Sequence, residues 1–228
     1  MIGIIGAMSI ELDEILNKMS NKTEYVFNDY KITLGELCNK QVAVCKCGIG
    51  KVNASTATML MKLKFDIDVL INIGVAGGWK TLKQGDIVIS EKTVEHDYDG
   101  TPDGLVLGQV HGFDSPYLDC DEELVKTLSE IASKRQYSFT TGVVATGDQF
   151  IASNEKSAYI NSTFGAIAFD MESGAINHAC KNLGIRFVAI RAISDNGNDE
   201  AVENFYSFVK KAALKSEDIV CSYISSLS

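Results

Sequence analysis

Apolar positions along this chain follow two different rhythms. Up to about residue 47 they come in short runs of strand length: Ile2 to Ile5, closed by Gly6, then 23–27, 31–37 and 41–47, with Asn28-Asp29 and Cys38-Asn39-Lys40 as turn signals between them. One helical stretch interrupts this series, predicted from about Ile10 to Met19, with Ser9 as its cap and acids in its first turn. From residue 48 onward, strand-length apolar runs alternate with amphipathic segments. Helices are expected over 51–63, 121–134, 153–160 and 172–183 and from about 201 toward the end, and strands over 69–73, 86–94, 137–146, 166–169 and 187–193. The run Val69 to Ile73 is apolar at nearly every position, the mark of a strand buried on both faces. Residues 98–117 hold both prolines and several glycines, and read as a long loop or lid. Alternation of this kind, without an internal repeat or linker, predicts one α/β domain over residues 1–228, a three-layer α/β/α sandwich around a mixed twisted sheet.

Composition narrows the function classes. The chain has 228 residues, 46% of them hydrophobic, enough for a substantial core. Its net charge is -9, with 30 acids against 21 basic residues, of which only Arg135, Arg186 and Arg191 are arginine. Nucleic acid is therefore not an expected partner, because its phosphates call for a basic stripe. The six cysteines form no CxxC pair and the three histidines are scattered, so neither a metal nor a cofactor is expected. Cysteines inside strand-like runs, as at Cys45, read as small buried hydrophobes in a reducing, cytoplasmic setting. The run from Ile2 to Met8 is too short to cross a membrane and lacks a basic flank, so no membrane association is expected.

Chemistry concentrates at the predicted strand ends. Five loops, 6–11, 48–51, 74–78, 147–151 and 194–198, combine glycines with polar residues where an α/β sheet gathers ligands. Gly48-Ile49-Gly50-Lys51-Val52 lacks the spacing and the Ser/Thr of a phosphate loop, and Gly3-Ile4-Ile5-Gly6 lacks the dinucleotide fingerprint. Three segments place a carboxylate beside apolar sequence: Glu11, Phe169-Asp170-Met171-Glu172 and Arg191-Ala192-Ile193-Ser194-Asp195. Such surroundings push carboxyl pKa values apart for acid and base roles.

Taken in order, Gly3 to Met8 with Glu11, Gly48 to Asn53, Ala76-Gly77-Gly78, Gly147 to Ile151, Met171-Glu172-Ser173 and Arg191 to Asp195 resemble the 5'-methylthioadenosine/S-adenosylhomocysteine nucleosidases. The resemblance implies a nucleoside phosphorylase/hydrolase-like fold, a homodimer, and hydrolysis of an N-glycosidic bond to adenine and a thioribose, with 5'-deoxyadenosine as a further substrate and methionine salvage as the setting. It implies that Asp195 is the general acid toward the purine and Glu11 the carboxylate that activates water. Glu172 would accept the ribose hydroxyls, and Arg191 would hold that carboxylate or the water. Phe150 would stack on adenine, whose edge meets the main chain of Ile151. Met8, Ile49, Met171 and Phe205 would line apolar walls, with Ala7, Val75, Gly77 and Ser194 close by. The residue types also suit the reaction: cleavage builds positive charge on the sugar and negative charge on the base, so it needs an acid and a water-directed base.

Two positions depart from the family pattern. Val75 stands where the family usually has a serine near the water, and in the lid Asp103-Gly104-Leu105-Val106-Leu107-Gly108-Gln109 takes the place where the family commonly has aromatic residues before Gly-Gln, leaving Leu105, Leu107 and His111 as candidate walls. Leu105 to His111 would wall a 5'-alkylthio pocket across the dimer. Three rival readings stay open: a nucleosidase for another 5' substituent such as aminodeoxyfutalosine, a nucleoside phosphorylase, and a catalytically silent nucleoside binder.

Overall fold

The structure, a computed structural model, describes residues 1–198 and 201–227, with no side chain described for 202–207. Its first strand, β1 (Ile2–Gly6), lies between β4 (Lys40–Lys46) and β5 (Val69–Gly78) and runs parallel to both, with Ile4 opposite Val44 and Ile71. Strands β2 (Ser20–Phe27) and β3 (Tyr30–Leu37) extend β4 as an antiparallel meander. On its other side β5 runs parallel to β10 (Arg186–Asp195), which pairs antiparallel with β6 (Ile87–Glu95). Strand β6 is parallel to β8 (Phe139–Thr146), and β8 to β9 (Ala166–Asp170).

The mixed sheet with flanking helices is as expected, but part of it is also closed. Gly77 and Gly78 of β5 pair with Phe169 and Ala168 of β9, so β5, β10, β6, β8 and β9 return upon themselves as a small barrel. A Cβ on Gly78 would stand 2.8 Å from Ile193 Cγ2, so the missing side chain lets the walls meet at the closure.

Alternation explains the two cores. Ile4, Ile71 and Ile190 face one side, where they pack with Ala212, Ala213, Ile219 and Val220 of α6 (Ala201–Ser226). Their neighbours Ile5, Leu70 and Ala189 face the other, against Ala54, Ala57 and Met61 of α2 (Lys51–Phe65) and Ile176 and Cys180 of α5 (Ser173–Leu183). A strand covered on both faces has no position left for polar residues, which is why Val69 to Ile73 reads as nearly continuous. Cys45, Cys47, Cys120 and Cys180 are buried free thiols, whereas Cys38 is exposed. No helix among the described residues is long and apolar enough to cross a membrane.

The remaining helices are α1 (Asp13–Lys18), α3 (Glu122–Lys134), begun by Asp121, and α4 (Asn154–Phe164), begun by Ser153. The first of these corrects the expected helix over 10–19. Ser9–Glu11 form a 3-10 turn, in which the Glu11 carboxylate turns back to the N–H groups of Ala7 and Met8, and the helix begins only after Leu12, without a cap from Ser9. The predicted lid contains a 3-10 turn at Thr101–Asp103 and is followed by a short strand, β7 (Tyr117–Asp119), held by pairing to β6. Three residues carry too little pattern to be read as a strand without that partner.

The start of α1 is held from a distance. The buried carboxyl of Glu217 on α6 accepts the N–H of Glu14 at 3.1 Å, and burial pushes its pKa up to about 7 against the pull of the Glu14 and Ile15 N–H groups. A carboxyl with a raised folded-state pKa binds its proton more tightly when folded, so its contribution to stability falls as the pH rises from about 4.5 to about 7. Glu217→Gln keeps an oxygen for the α1 N–H groups, so chemical denaturation should find the variant gaining stability relative to wild type at pH 8 but not at pH 4.

Candidate active site

The carboxyl ends of β1, β5, β9 and β10 and the loop after β8 surround one cavity of about 560 Å³ including its open mouth. Every substrate-binding residue expected from the sequence whose side chain is described lines it: Ala7, Met8, Ile49, Val75, Gly77, Phe150, Ile151, Met171 and Ser194. Phe205 lies outside the residues with described side chains. Glu11, Glu172 and Asp195 line the cavity as well, and among its described lining residues there is no Lys, Arg or His.

Glu11 is fixed by backbone. Its Oε2 accepts the N–H groups of Ala7 and Met8, each at 2.8 Å, and its Oε1 accepts that of Val75 at 3.0 Å. Two carboxylate oxygens offer about four acceptor positions, so these three donors leave one on Oε1. Burial pushes the Glu11 carboxyl up, while the Arg191 charge and the three N–H groups pull the other way.

Arg191 sits beneath the cavity, fully buried. Its guanidinium pairs with Asp170 at 2.7 Å, donates to Ser173 Oγ at 2.9 Å from Nη2, and also donates to Asn72 Oδ1. Glu172 is 3.9 Å away, so the pairing with Glu172 expected from the sequence is secondary to that with Asp170. Glu172 instead accepts the N–H of Gly50 at 3.0 Å, and its carboxyl is pushed well up by burial and by the Asp170 charge. Asp170 is further bound by the hydroxyls of Thr146 and Ser173. Sequence reasoning placed Asp170 and Ser173 in motifs but gave neither a role, and it gave none to Asn72. The available signal was Asn72 itself, a polar residue inside the apolar run Val69 to Ile73.

Glu11 and Arg191 both approach Gly74. This glycine pairs with Arg191 across β5 and β10, and a Cβ there would overlap both Glu11 Oε1 and Arg191 Nη1. Asp195 lies one residue beyond an irregularity in the β10 ladder, which aims it at the cavity. Its Oδ2 accepts from Ser194 Oγ at 2.8 Å and its Oδ1 from Gly197 N–H at 2.9 Å, and burial still raises its pKa. Leu105, Leu107 and His111 do not line the cavity of the single chain; His111 Nδ1 lies 2.7 Å from the Tyr98 hydroxyl within the lid.

This fold and this set of buried carboxyls define a protein of the phosphorylase class, and the family model described as "Phosphorylase superfamily" matches residues 1–225. A 5'-methylthioadenosine/S-adenosylhomocysteine nucleosidase of Actinobacillus succinogenes is 39% identical over 228 residues, covering 99% of both chains. The solved structure of such a nucleosidase from Neisseria meningitidis, in complex with methylthio-immucillin-A, has a TM-score of 0.96 at 35% identity, covering 99% of each chain. That of a futalosine hydrolase from Helicobacter pylori has a TM-score of 0.95 at 31% identity over 99% of this chain and 97% of that one. The chain belongs to the 5'-methylthioadenosine/S-adenosylhomocysteine nucleosidase family and is an N-glycosyl hydrolase.

Gly74→Ala should force Glu11 and Arg191 apart. Positioning errors of about 1 Å cost on the order of 100-fold in rate, and kcat of the purified variant should fall by at least that much, with about 1–3 kcal/mol lost in denaturation for overpacking.

Proposed function

We propose that this chain hydrolyses the N-glycosidic bond of 5'-methylthioadenosine and S-adenosylhomocysteine, giving adenine and the corresponding thioribose, with 5'-deoxyadenosine as a further substrate. The observation that carries the assignment of roles is the pair of buried carboxyls, Glu11 and Asp195, on one cavity. Asp195, whose pKa is raised by burial, delivers its proton to the departing purine. That contribution is typically about 10²–10⁴-fold in rate. Glu11 takes a water on its one free acceptor position and removes a proton as the water attacks the sugar cation. Glu172 accepts the ribose hydroxyls, and Arg191 acts from below by holding Asp170 and lending positive charge to Glu11 and Glu172. Phe150 covers the purine face and the Ile151 main chain meets its edge, while Met8, Ile49 and Met171 wall the sugar and its 5' group.

Water rather than phosphate is favoured as the nucleophile. A phosphate clamp needs free cationic donors, but none of the described lining residues is basic, and the Nε and Nη2 groups of Arg191 are engaged by Asp170, Ser173 and Asn72. The same acid and base would serve a nucleosidase for a different 5' substituent, a reading favoured by the apolar Val75 and by Leu105 and Leu107 in the segment before Gly108-Gln109. A silent nucleoside binder has no use for a cavity-lining carboxylate held by three N–H donors with one acceptor position left open. We further propose one catalytic domain over residues 1–228, acting in the cytoplasm in methionine salvage as a homodimer, with Leu105 to His111 closing the neighbouring site. Exposed Val52, Met59 and Leu63, all on α2, support association.

Adenine release from methylthioadenosine should proceed without phosphate and yield free methylthioribose; dependence on phosphate would overturn hydrolysis. Asp195→Asn should bind nucleoside but lose at least about 100-fold in kcat, since the amide cannot give up a proton to the base. Because Asp195 must hold its proton and Glu11 must be without one, kcat should fall on the alkaline side as Asp195 ionises and on the acid side as Glu11 protonates. Burial moves the alkaline limb above the ordinary aspartate value of 3.8.

A further inference from the structure

Outside the reacting carboxyls, a second polar group joins two loops that approach the substrate from different sides. Lys51 opens α2, directly after Ile49 and Gly50. Its backbone N–H donates to Asp148 Oδ1 at 2.8 Å, the Asp148 N–H donates to Asp97 Oδ2 at 2.9 Å, and Asp97 Oδ1 accepts from the Lys51 ammonium at 2.7 Å. The three residues thus form a closed ring of hydrogen bonds. Lys51 Nζ also donates to Glu95 Oε2 at 3.0 Å, and the other oxygen of Glu95 lies 3.2 Å from His178 Nδ1. The side chains of Lys51, Glu95 and Asp97 are 18%, 9% and 17% exposed, so these charges are much less screened than those of a surface pair.

The ring has a functional neighbour on each side. One residue before Lys51, Gly50 donates its N–H to Glu172, and Ile49 lines the cavity. One residue after Asp148 begins the lining segment Gln149, Phe150 and Ile151. Glu11 and Asp195 are held by other donors, namely the N–H groups of Ala7, Met8, Val75 and Gly197 and the Ser194 hydroxyl. The ring therefore touches the groups that bind the nucleoside but not the two that react.

We propose that Lys51, Asp97 and Asp148 form a positioning clasp that sets the spacing between the purine-covering loop and the ribose-binding carboxylate, and so governs nucleoside affinity rather than the chemical step. None of the three touches substrate; each acts through Gly50, Phe150 and Ile151. The inference rests on the nucleosidase reading above. Asp97→Asn removes the ion pair while keeping an oxygen for one N–H, and Lys51→Met removes the ammonium while leaving both backbone N–H bonds of the ring.

The test is steady-state adenine release by the full chain, for wild type, each variant and the double variant, beside Asp121→Asn, which breaks an ion pair to Arg186 remote from the cavity. KM for methylthioadenosine should rise by about tenfold in either variant, with kcat within about threefold of wild type. The double variant should be no worse than the poorer single one, as members of one ring are not additive, and Asp121→Asn should leave KM unchanged. A KM within twofold of wild type in Lys51→Met, or effects of Lys51 and Asp97 that multiply, would overturn the clasp; Lys51→Met decides alone if Asp97→Asn does not fold. A wild-type protein that releases no adenine would instead overturn the nucleosidase reading.

Discussion

The site is organised around one buried cation. Arg191 is completely enclosed, and the carboxyls of Asp170, Glu172 and Glu11 all feel its charge. A guanidinium in such a place is tolerable only when paired and fully hydrogen-bonded, and removing a partner from a buried pair costs roughly 3–5 kcal/mol. Asp170, Asn72 and Ser173 meet that requirement. A single positive charge does not offset burial for three acids. Asp170 takes the direct contact, and the carboxyls of Glu11 and Glu172 are both raised. The charge that opposes burial at Glu11 and Glu172 thus comes from a residue that lies outside the cavity lining.

Backbone does the rest of the positioning. Closing the strands into a barrel brings the ends of β5, β9 and β10 to one place, while β1 delivers Ala7 and Met8 from the adjoining open sheet. Main-chain N–H groups at these ends cannot rotate away, so the carboxyls they bind are held before substrate arrives. Gly74 is what permits this: a Cβ at that point would overlap both Glu11 and Arg191. The same economy holds at Asp195, whose two oxygens are fixed by a neighbouring hydroxyl and the Gly197 N–H.

The absence of basic side chains among the described lining residues also bears on the choice of nucleophile. A neutral water needs one acceptor and space, and Glu11 offers both; an anion would meet that carboxyl without a compensating cation.

Much of the molecule was legible in the order of residues. Period-two and helical patterning located nearly all the main strands and helices, because burial on one or two faces imposes those patterns locally, and Glu11, Glu172 and Asp195 stood out as acids beside apolar or glycine-rich sequence. The short strand β7 and the turn at Ser9–Glu11 were not legible, since the first exists through its partner β6 and the second through a carboxylate bonding backward to main chain. The preference of Arg191 for Asp170 over Glu172, the role of Asn72, and the ring linking Lys51, Asp97 and Asp148 were decided by tertiary structure alone. Each depends on distances between groups far apart in sequence. Local pattern records which residues must be buried, but only the closed sheet determines which buried charges meet.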